Sequence, residues 1–524
     1  MITRSLLWQC LCLLIAGLLN TLAFAPYTMW WLPFFSLGLL VYFNQQSHHW
    51  RQSALLGFSY GLGWFGLGIS WVHVSIDQFG GLPLIASLAL MALLVSYLAL
   101  FPALAAVLSW LLQRQLAGTS LLFAISWLFA EWLRSIMLTG FPWLSLGYSQ
   151  TQAGLAPIAP LLGETGLSFI IAFSAAALAQ LFFRDSATSS SGLHQTAVLR
   201  RYVPVLIAGL LLASGPLLRP LHGWQYSADT VAVLLVQGNI KQDLRWKPEQ
   251  EWPTMLKYLD LTRPHYSDVA IVIWPEAAIP QLEPLAGEYL QNLDSAAFYQ
   301  DTAVITGILD YHFHSQQAWN NLIVVGKDSA AAQQGHYVYG HQNRFSKHHL
   351  LPIGEFVPFE NWLRRLAPIF DLPMSSFSRG DYVQPNLLAN GYQLLPALCF
   401  EIAFPRQIKA NFTEKTQLLL TVSNDAWFGD SIGPHQHLQI AQMRALEFGR
   451  PLLRATNNGI TATINPDGSI RQQAPQFVEA IIKDDINLTT GFTPYSRFGD
   501  WPLYGFCLFW LSALLLMQKT NKNG

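Results

Sequence analysis

The sequence runs to 524 residues, too many for one ordinary domain. It is 52% hydrophobic and only 12% charged, against roughly 25% charged in soluble domains; this is the balance of a membrane protein that also carries a soluble part. A formal net charge of -1 gives no basic surface for nucleic acid, and 4 cysteines in so long a chain argue against a disulfide scaffold.

In chain order, apolar segments predict about eight membrane spans, near 6–24, 29–44, 53–75, 84–112, 119–138, 165–184, 202–219 and 502–518. Each approaches the roughly 20 residues that cross a bilayer core as a helix, the second being somewhat short. The first reads as a retained helix. "LAFAPYTMWWLPFF" runs on into the second span, with no small-residue cleavage site followed by a polar mature chain. "TGFPWLSLGYSQTQAGLAPIAP", within 139–164, is rich in Gly, Pro and aromatics. It reads either as an interfacial aromatic belt or as a lipid-facing or re-entrant segment. "RDSATSSSGLHQTAVLRR" (184–201) reads as a flexible Ser-rich linker.

With eight spans both termini share a side. On it fall Arg4, Arg51, Arg114, Arg184, Arg200, Arg201, Lys519 and Lys522, while the opposite short loops hold little beyond Arg134 and Arg219. The positive-inside rule then puts both termini in the cytoplasm and the long segment before the last span on the outer face. The expected organisation is a seven-span region at 1–224, an outer domain at 225–495, and a C-terminal span and tail at 496–524.

The outer segment alternates strand and helix patterns. Buried strands are expected at 230–237, 268–276, 302–310, 321–326, 392–401, 417–425, 460–466 and 479–487, and helices near 248–262, 284–300, 403–414 and 434–449. Continuous β-branched runs separated by helices indicate an α/β sheet covered on both faces.

Functional groups in such sheets collect at the carboxyl ends of strands. "VIWPEAAIP" delivers Glu276 there, "CFE" delivers Cys399 and Glu401, and "TVSNDAWFG" delivers Asn424 and Asp425. The connection "FSKHHLLPIGEFVPFE" adds Lys347 and Glu355. Cys399 is the only cysteine of the outer segment, so it is either an inert core thiol or a free nucleophile. Taken singly, each charged residue reads first as a structural ion pair or a solvated side chain. Together, a carboxylate to take the thiol proton and an ammonium to stabilise a developing oxyanion make a nucleophile kit. The histidine pairs His348/His349 and His435/His437 lack further ligands at defined spacing, so neither metal nor cofactor is expected. His435 and His437 read as residues of a first helical turn or a substrate rim. Glu131 is the clearest ionisable residue inside a span, fewer than ion-coupled transport needs.

"IWPEAAIP", "KHHLLPIGEFVP", "LCFEIAFP" and "SNDAWFG" resemble the successive signatures of the nitrilase superfamily, with its Glu–Lys–Cys triad. Fused to membrane spans, "FPWLSLGYSQ", "QGNI", "IGEFVP" and "PHQHLQIAQMRALEFGRPLLRATNNGITATINPDG" are similar to the bacterial apolipoprotein N-acyltransferases, a membrane-bound branch of that superfamily. The resemblance runs from the first span to the last. It implies an αββα sandwich behind a polytopic helical domain in the bacterial inner membrane. It further implies Glu276 as general base, Lys347 as oxyanion-stabilising cation and Cys399 as nucleophile. Glu355 and Glu401 match supporting carboxylates, Trp246 a tryptophan on a mobile loop, and Asn320 a family asparagine across local insertions. The residue after the nucleophile is commonly Tyr in the family; here Phe400 keeps the aromatic ring without the hydroxyl.

The implied reaction moves an sn-1 acyl chain from a phospholipid, typically phosphatidylethanolamine, through a Cys399 thioester. The acceptor is the α-amino group of an N-terminal diacylglyceryl-cysteine on an apolipoprotein. A membrane-tethered amidase using the same triad is the competing enzyme reading, and a transporter or lipid-binding scaffold with a decayed enzyme domain is the competing non-enzyme reading. The aromatic stretches around Trp246, at 359–361 and at 369–381 are lid candidates by position.

Overall fold

The computed structural model describes residues 4–79, 84–183, 191–329, 331–352, 354–356 and 377–523. The chain divides into two compact units, one of Met1–His222 with Arg497–Gly524, the other of Gly223–Ser496.

The first unit is helical. Its main helices are α1 (Arg4–Asn20), α2 (Leu32–Gln45), α3 (Trp50–Gly68), α4 (Leu84–Gln113), α5 (Thr119–Arg134), α6 (Ala159–Gln180) and α7 (Ser191–Leu218), with a C-terminal helix over Trp501–Asn523. Among the described residues, five stretches are long and apolar enough to cross a membrane: Arg4–Ala23, Leu84–Gln113, Ala156–Gln180, Tyr202–Leu221 and Trp501–Lys519. The expectation of about eight spans is therefore supported for five. α2 and α5, of 14 and 16 residues, fall short of the roughly 20 that a crossing needs. α3 is diluted by Arg51, Gln52 and Ser53. α7 begins at Ser191, inside the segment expected to be a flexible linker; residues 184–190 of that segment lie outside the described residues.

Small residues bring these helices together, as in lipid-embedded bundles where close backbone approach supplies the attraction. A Cβ on Gly17 of α1 would stand 2.1 Å from the Tyr60 carbonyl oxygen of α3, and one on Gly63 of α3 would stand 2.0 Å from that of Leu14. The segment after α5 corrects the expectation of a belt or lipid-facing loop. Trp143, Leu144, Leu146 and Tyr148 are buried in protein. Arg134 holds the segment by donating to the carbonyls of Phe141, at 2.7 Å, and Trp143. The Glu131 carboxylate accepts the Leu146 N–H at 3.1 Å. Irregular backbone is tolerated in a membrane protein when its polar groups are satisfied internally in this way.

The second unit contains two sheets. One pairs β1 (Trp224–Gln237), β2 (Ile271–Ile273), β3 (Ile279–Leu282), β4 (Ala303–His312), β5 (Gln317–Gly326), β6 (Arg344–Ser346) and β13 (Ala480–Gly491), in the order β13-β1-β2-β4-β5-β6 with β3 on β4. The other runs β12 (Ile470–Gln473), β11 (Ala462–Ile464), β10 (Leu452–Thr456), β9 (Leu418–Ser423), β8 (Tyr392–Leu398), β7 (Leu387–Ala389). Alternation along each strand sorts the side chains. Val233, Leu235, Ile273 and Ile305 meet Leu398, Leu420, Val422 and Leu453 in a core between the sheets. Leu234, Val236, Val272 and Val304 face the other way, onto α8 (Pro248–Thr262) and α9 (Gly287–Tyr299). α10 (Pro405–Asn411) and α11 (Gly433–Phe448) cover the second sheet. The layers are helix, sheet, sheet, helix. β10 has no counterpart among the expected strands, because Arg454 interrupts its apolar run. The lid candidate at 359–361, and that at 369–381 up to residue 376, lie outside the described residues.

Candidate active site

Glu276 follows β2, where the chain leaves the sheet through Trp274 and Pro275. Gly307 on β4 admits that backbone: a Cβ there would stand 2.2 Å from the amide nitrogen of Ala277. Arg245, also buried, donates Nη2 hydrogen bonds to the carbonyls of Glu276 and of Ala277, the latter at 2.5 Å. The carboxylate is thereby aimed and surrounded by donors. Its Oε1 accepts from Asn320 Nδ2 at 2.8 Å and Lys347 Nζ at 3.2 Å, and its Oε2 accepts the Asn424 N–H at 3.1 Å.

Lys347 stands just past β6. Its backbone is fixed by an N–H donated to the Asn320 carbonyl and a carbonyl that accepts from Gly380, both at 2.9 Å. The ammonium is only 2% exposed and bridges two carboxylates, Glu276 and, at 2.9 Å, Glu355. Glu355 is held in turn by the Leu351 N–H at 2.8 Å and by Asn320 Nδ2 at 3.2 Å. Asn320 on β5 thus spans both acids.

Cys399 follows directly on β8 with φ of 50°, in the left-handed region that non-glycine residues rarely adopt. Such strain collects at functional turns. The residue is half-buried. Burial and the Glu276 carboxylate push its thiol up to about 12, with Lys347 opposing. Burial also raises the Glu276 carboxyl, but the Lys347 ammonium and the Asn320 hydrogen bond outweigh it and leave it below the ordinary carboxylate range. Lys347 loses charge preference through burial yet is driven well above its ordinary value by Glu276 and Glu355. At neutral pH the site holds a neutral thiol, a carboxylate and an ammonium, the charge states for base-assisted attack.

Models of two families match the chain. Residues 16–177 match the apolipoprotein N-acyltransferase N-terminal domain and residues 231–492 match carbon-nitrogen hydrolase. Apolipoprotein N-acyltransferase from Photobacterium profundum is 47% identical over 97% of this chain and 95% of its own. The chain belongs to the apolipoprotein N-acyltransferase family. The same-named protein of Vibrio parahaemolyticus is 44% identical over 96% of this chain and 95% of its own. That of Shewanella oneidensis is 46% identical over 97% and 95%. Among solved structures, Saccharomyces cerevisiae Nit3, a member of branch 10 of the nitrilase superfamily, matches with a TM-score of 0.37 at 14% identity, over 50% of this chain and 93% of that one.

Other residues of this apolipoprotein N-acyltransferase family chain surround the cluster. Glu401, two residues after Cys399, accepts from the backbone N–H groups of His348 (2.7 Å), His349 (3.0 Å) and Leu398 (2.9 Å) and from Gln407 Nε2 at 3.0 Å. It ties the chain after Lys347 to the turn that carries the thiol. Phe400 is buried, with its ring edge-to-face with Phe404 at 5.1 Å. Trp246 is 41% exposed, its ring 5.6 Å from the guanidinium of the neighbouring Arg245. It adjoins the cluster through Arg245.

The histidines are committed to hydrogen bonds. The His348 ring contacts the Gly380 carbonyl at 2.7 Å, the His349 ring Gln407 at 2.5 Å, and the His435 ring Gln476 at 3.1 Å. Among the described residues no group of three His, Cys, Asp or Glu is placed to hold a metal. The reading of His437 as a rim residue is corrected: it is fully buried. Its Nε2 lies 3.0 Å from the Cys399 carbonyl and its Nδ1 lies 3.1 Å from Asp425. Asp425 also receives Arg454 at 2.6 Å. Sequence reasoning missed Arg245, Ser423 and Arg454. A charge inside the apolar strand "LLRAT" is the available signal for Arg454, since a buried cation requires a partner.

Proposed function

We propose that this protein N-acylates lipoproteins by a two-step acyl transfer through Cys399, with Glu276 as base and Lys347 as oxyanion-stabilising cation. The observation that carries the reading is the buried Lys347 ammonium clamped by Glu276 and Glu355 beside a cysteine in a strained strand-to-turn corner. The donor is the sn-1 ester of a phospholipid, phosphatidylethanolamine by preference. The acceptor is the α-amino group of the diacylglyceryl-cysteine that begins an apolipoprotein.

In the first step Glu276 takes the Cys399 proton as Sγ bonds to the ester carbon. Lys347 balances the tetrahedral oxyanion. The C–O bond breaks as Glu276 hands that proton to the leaving oxygen, so the lysophospholipid departs as an alcohol and Glu276 is a carboxylate again. In the second step the amine attacks the thioester while Glu276 takes its proton. The C–S bond breaks and the sulfur recovers that proton. The thioester keeps the acyl group reactive between two substrates that enter in turn. An apolar site at a bilayer surface keeps water from it. The reading places the protein in the bacterial inner membrane, with both termini cytoplasmic and residues 225–495 periplasmic.

The test supplies phosphatidylethanolamine vesicles and a diacylated lipopeptide. Cys399→Ala abolishes N-acylation, and mass spectrometry of the parent protein finds a hydroxylamine-labile acyl mass on the Cys399 peptide. Full activity in the variant, or an adduct on another residue, sinks the mechanism. Rapid thioester hydrolysis without lipopeptide product would favour an amidase.

A further inference from the structure

β9 ends on Ser423, whose Oγ is 2.5 Å from Asp425 Oδ1 and 3.5 Å from Cys399 Sγ. A hydroxyl carries one proton and serves one acceptor at a time. At rest the short, charge-assisted contact with the Asp425 carboxylate holds it. The Ser423 oxygen then faces the neutral thiol with a lone pair. Once the sulfur becomes a thiolate, two anions compete for the same proton.

Asp425 is the better supplied of the two. Arg454 Nη2 stands 2.6 Å from its Oδ2, and the buried His437 ring 3.1 Å from its Oδ1. Lys347, the cation nearest the sulfur in its electrostatic effect, is already shared between Glu276 and Glu355. Among the described residues, Ser423 is the side chain that hydrogen-bonds Cys399 Sγ. The sulfur has more to gain from the hydroxyl than the carboxylate has to lose.

We propose that Ser423 is a catalytic hydroxyl whose proton turns from Asp425 to Cys399 Sγ as the sulfur acquires negative charge. It stabilises the thiolate during attack on the ester and again when the thiolate departs from the thioester. The turn is a rotation about the Cβ–Oγ bond. No covalent bond of Ser423 is made or broken, and the thiol proton still goes to Glu276. Asp425 is the resting acceptor, locked by Arg454 and His437, and acts as a positioning residue. The proposal rests on Cys399 being the nucleophile.

The experiment measures iodoacetamide alkylation of Cys399 against pH in the full-length protein, with peptide mass spectrometry assigning the adduct. Below the thiol pKa the rate follows the thiolate fraction. Ser423→Ala slows alkylation about tenfold at fixed pH, since a hydrogen bond to a charged group is worth that order. Asp425→Asn speeds it, because the competing acceptor and its charge are gone. An unchanged or faster rate in Ser423→Ala overturns the proposal, and slower alkylation in a folded Asp425→Asn overturns the resting role of Asp425. If Asp425→Asn does not fold, Ser423→Ala alone decides the proposal. The underlying reading fails separately: a Cys399→Ala protein that still acylates lipopeptide removes it whatever the alkylation rates show.

Discussion

Arg134 in the helical unit and Lys347 in the sheet unit are equally buried cations that are used differently. In the helical unit Arg134 directs its donors to the backbone carbonyls of Phe141 and Trp143, with Glu131 4.0 Å away. In the sheet unit Lys347 directs its donors to the side-chain carboxylates of Glu276 and Glu355. Backbone carbonyls do not titrate, so a cation facing them can only shape the chain. Carboxylates exchange protons, so a cation between two of them sets which one is available as a base. Burial of charge alone therefore does not mark chemistry; the partners do.

The largest effect separates the two at the level of activity. Lys347→Met strips Glu276 and Glu355 of the ammonium they share, so one of them takes up a proton. On the proposed mechanism lipopeptide acylation falls by roughly a thousandfold or more, as for loss of a principal oxyanion stabiliser. Circular dichroism confirms that the variant is folded, and activity near the parent level would break the distinction. Arg134→Met sharpens it from the other side. It strands the carbonyls of Phe141 and Trp143, and costs about 3 kcal/mol or more of stability, measured by denaturant unfolding in detergent. The folded fraction alkylates Cys399 at the parent rate. A chemically dead but fully stable Arg134→Met protein would make the two cations alike.

The smallest effect comes from groups that are neither cation. Burial lowers His341 and His349 to about 4, below the roughly 6.5 of an unfolded histidine. Between those values the unfolded chain binds more protons than the folded one, so stability falls as pH falls through that window and is fully present above it. The melting temperature of the parent drops from pH 7 to pH 4 more steeply than that of His349→Gln. Equal slopes would remove His349 from the account.

Much of the fold was legible because the strands of the second unit are continuous apolar runs and its helices are amphipathic over similar lengths. The sheet-end residues Glu276, Cys399 and Asp425 were legible for the same reason, each closing a run of Val, Ile or Leu. Lys347 and Glu355 stood out in a connection punctuated by Pro and Gly. The other wall of the thiol was not legible. Arg454 lies 29 residues from Asp425 and 17 from His437 in sequence, and no local pattern announces such a meeting. The belt and lipid-facing readings of the segment after α5 failed for a related reason: no local pattern shows that Arg134 donates to its carbonyls within the protein. Helix length also misled. Spans counted by apolar run extend past the helices that α2 and α5 form.

Glu401 gives the site a mechanical property. Its carboxylate gathers three backbone N–H groups and one amide side chain from both sides of the thiol. Hydrogen bonds to a charged group are worth about 1.5–3 kcal/mol each, so prising the Lys347 strand away from the Cys399 corner means breaking several at once. The two backbone segments are coupled through one carboxylate. On the proposed two-substrate reading, the backbones that carry Lys347 and Cys399 therefore stay in register with each other whichever substrate is seated.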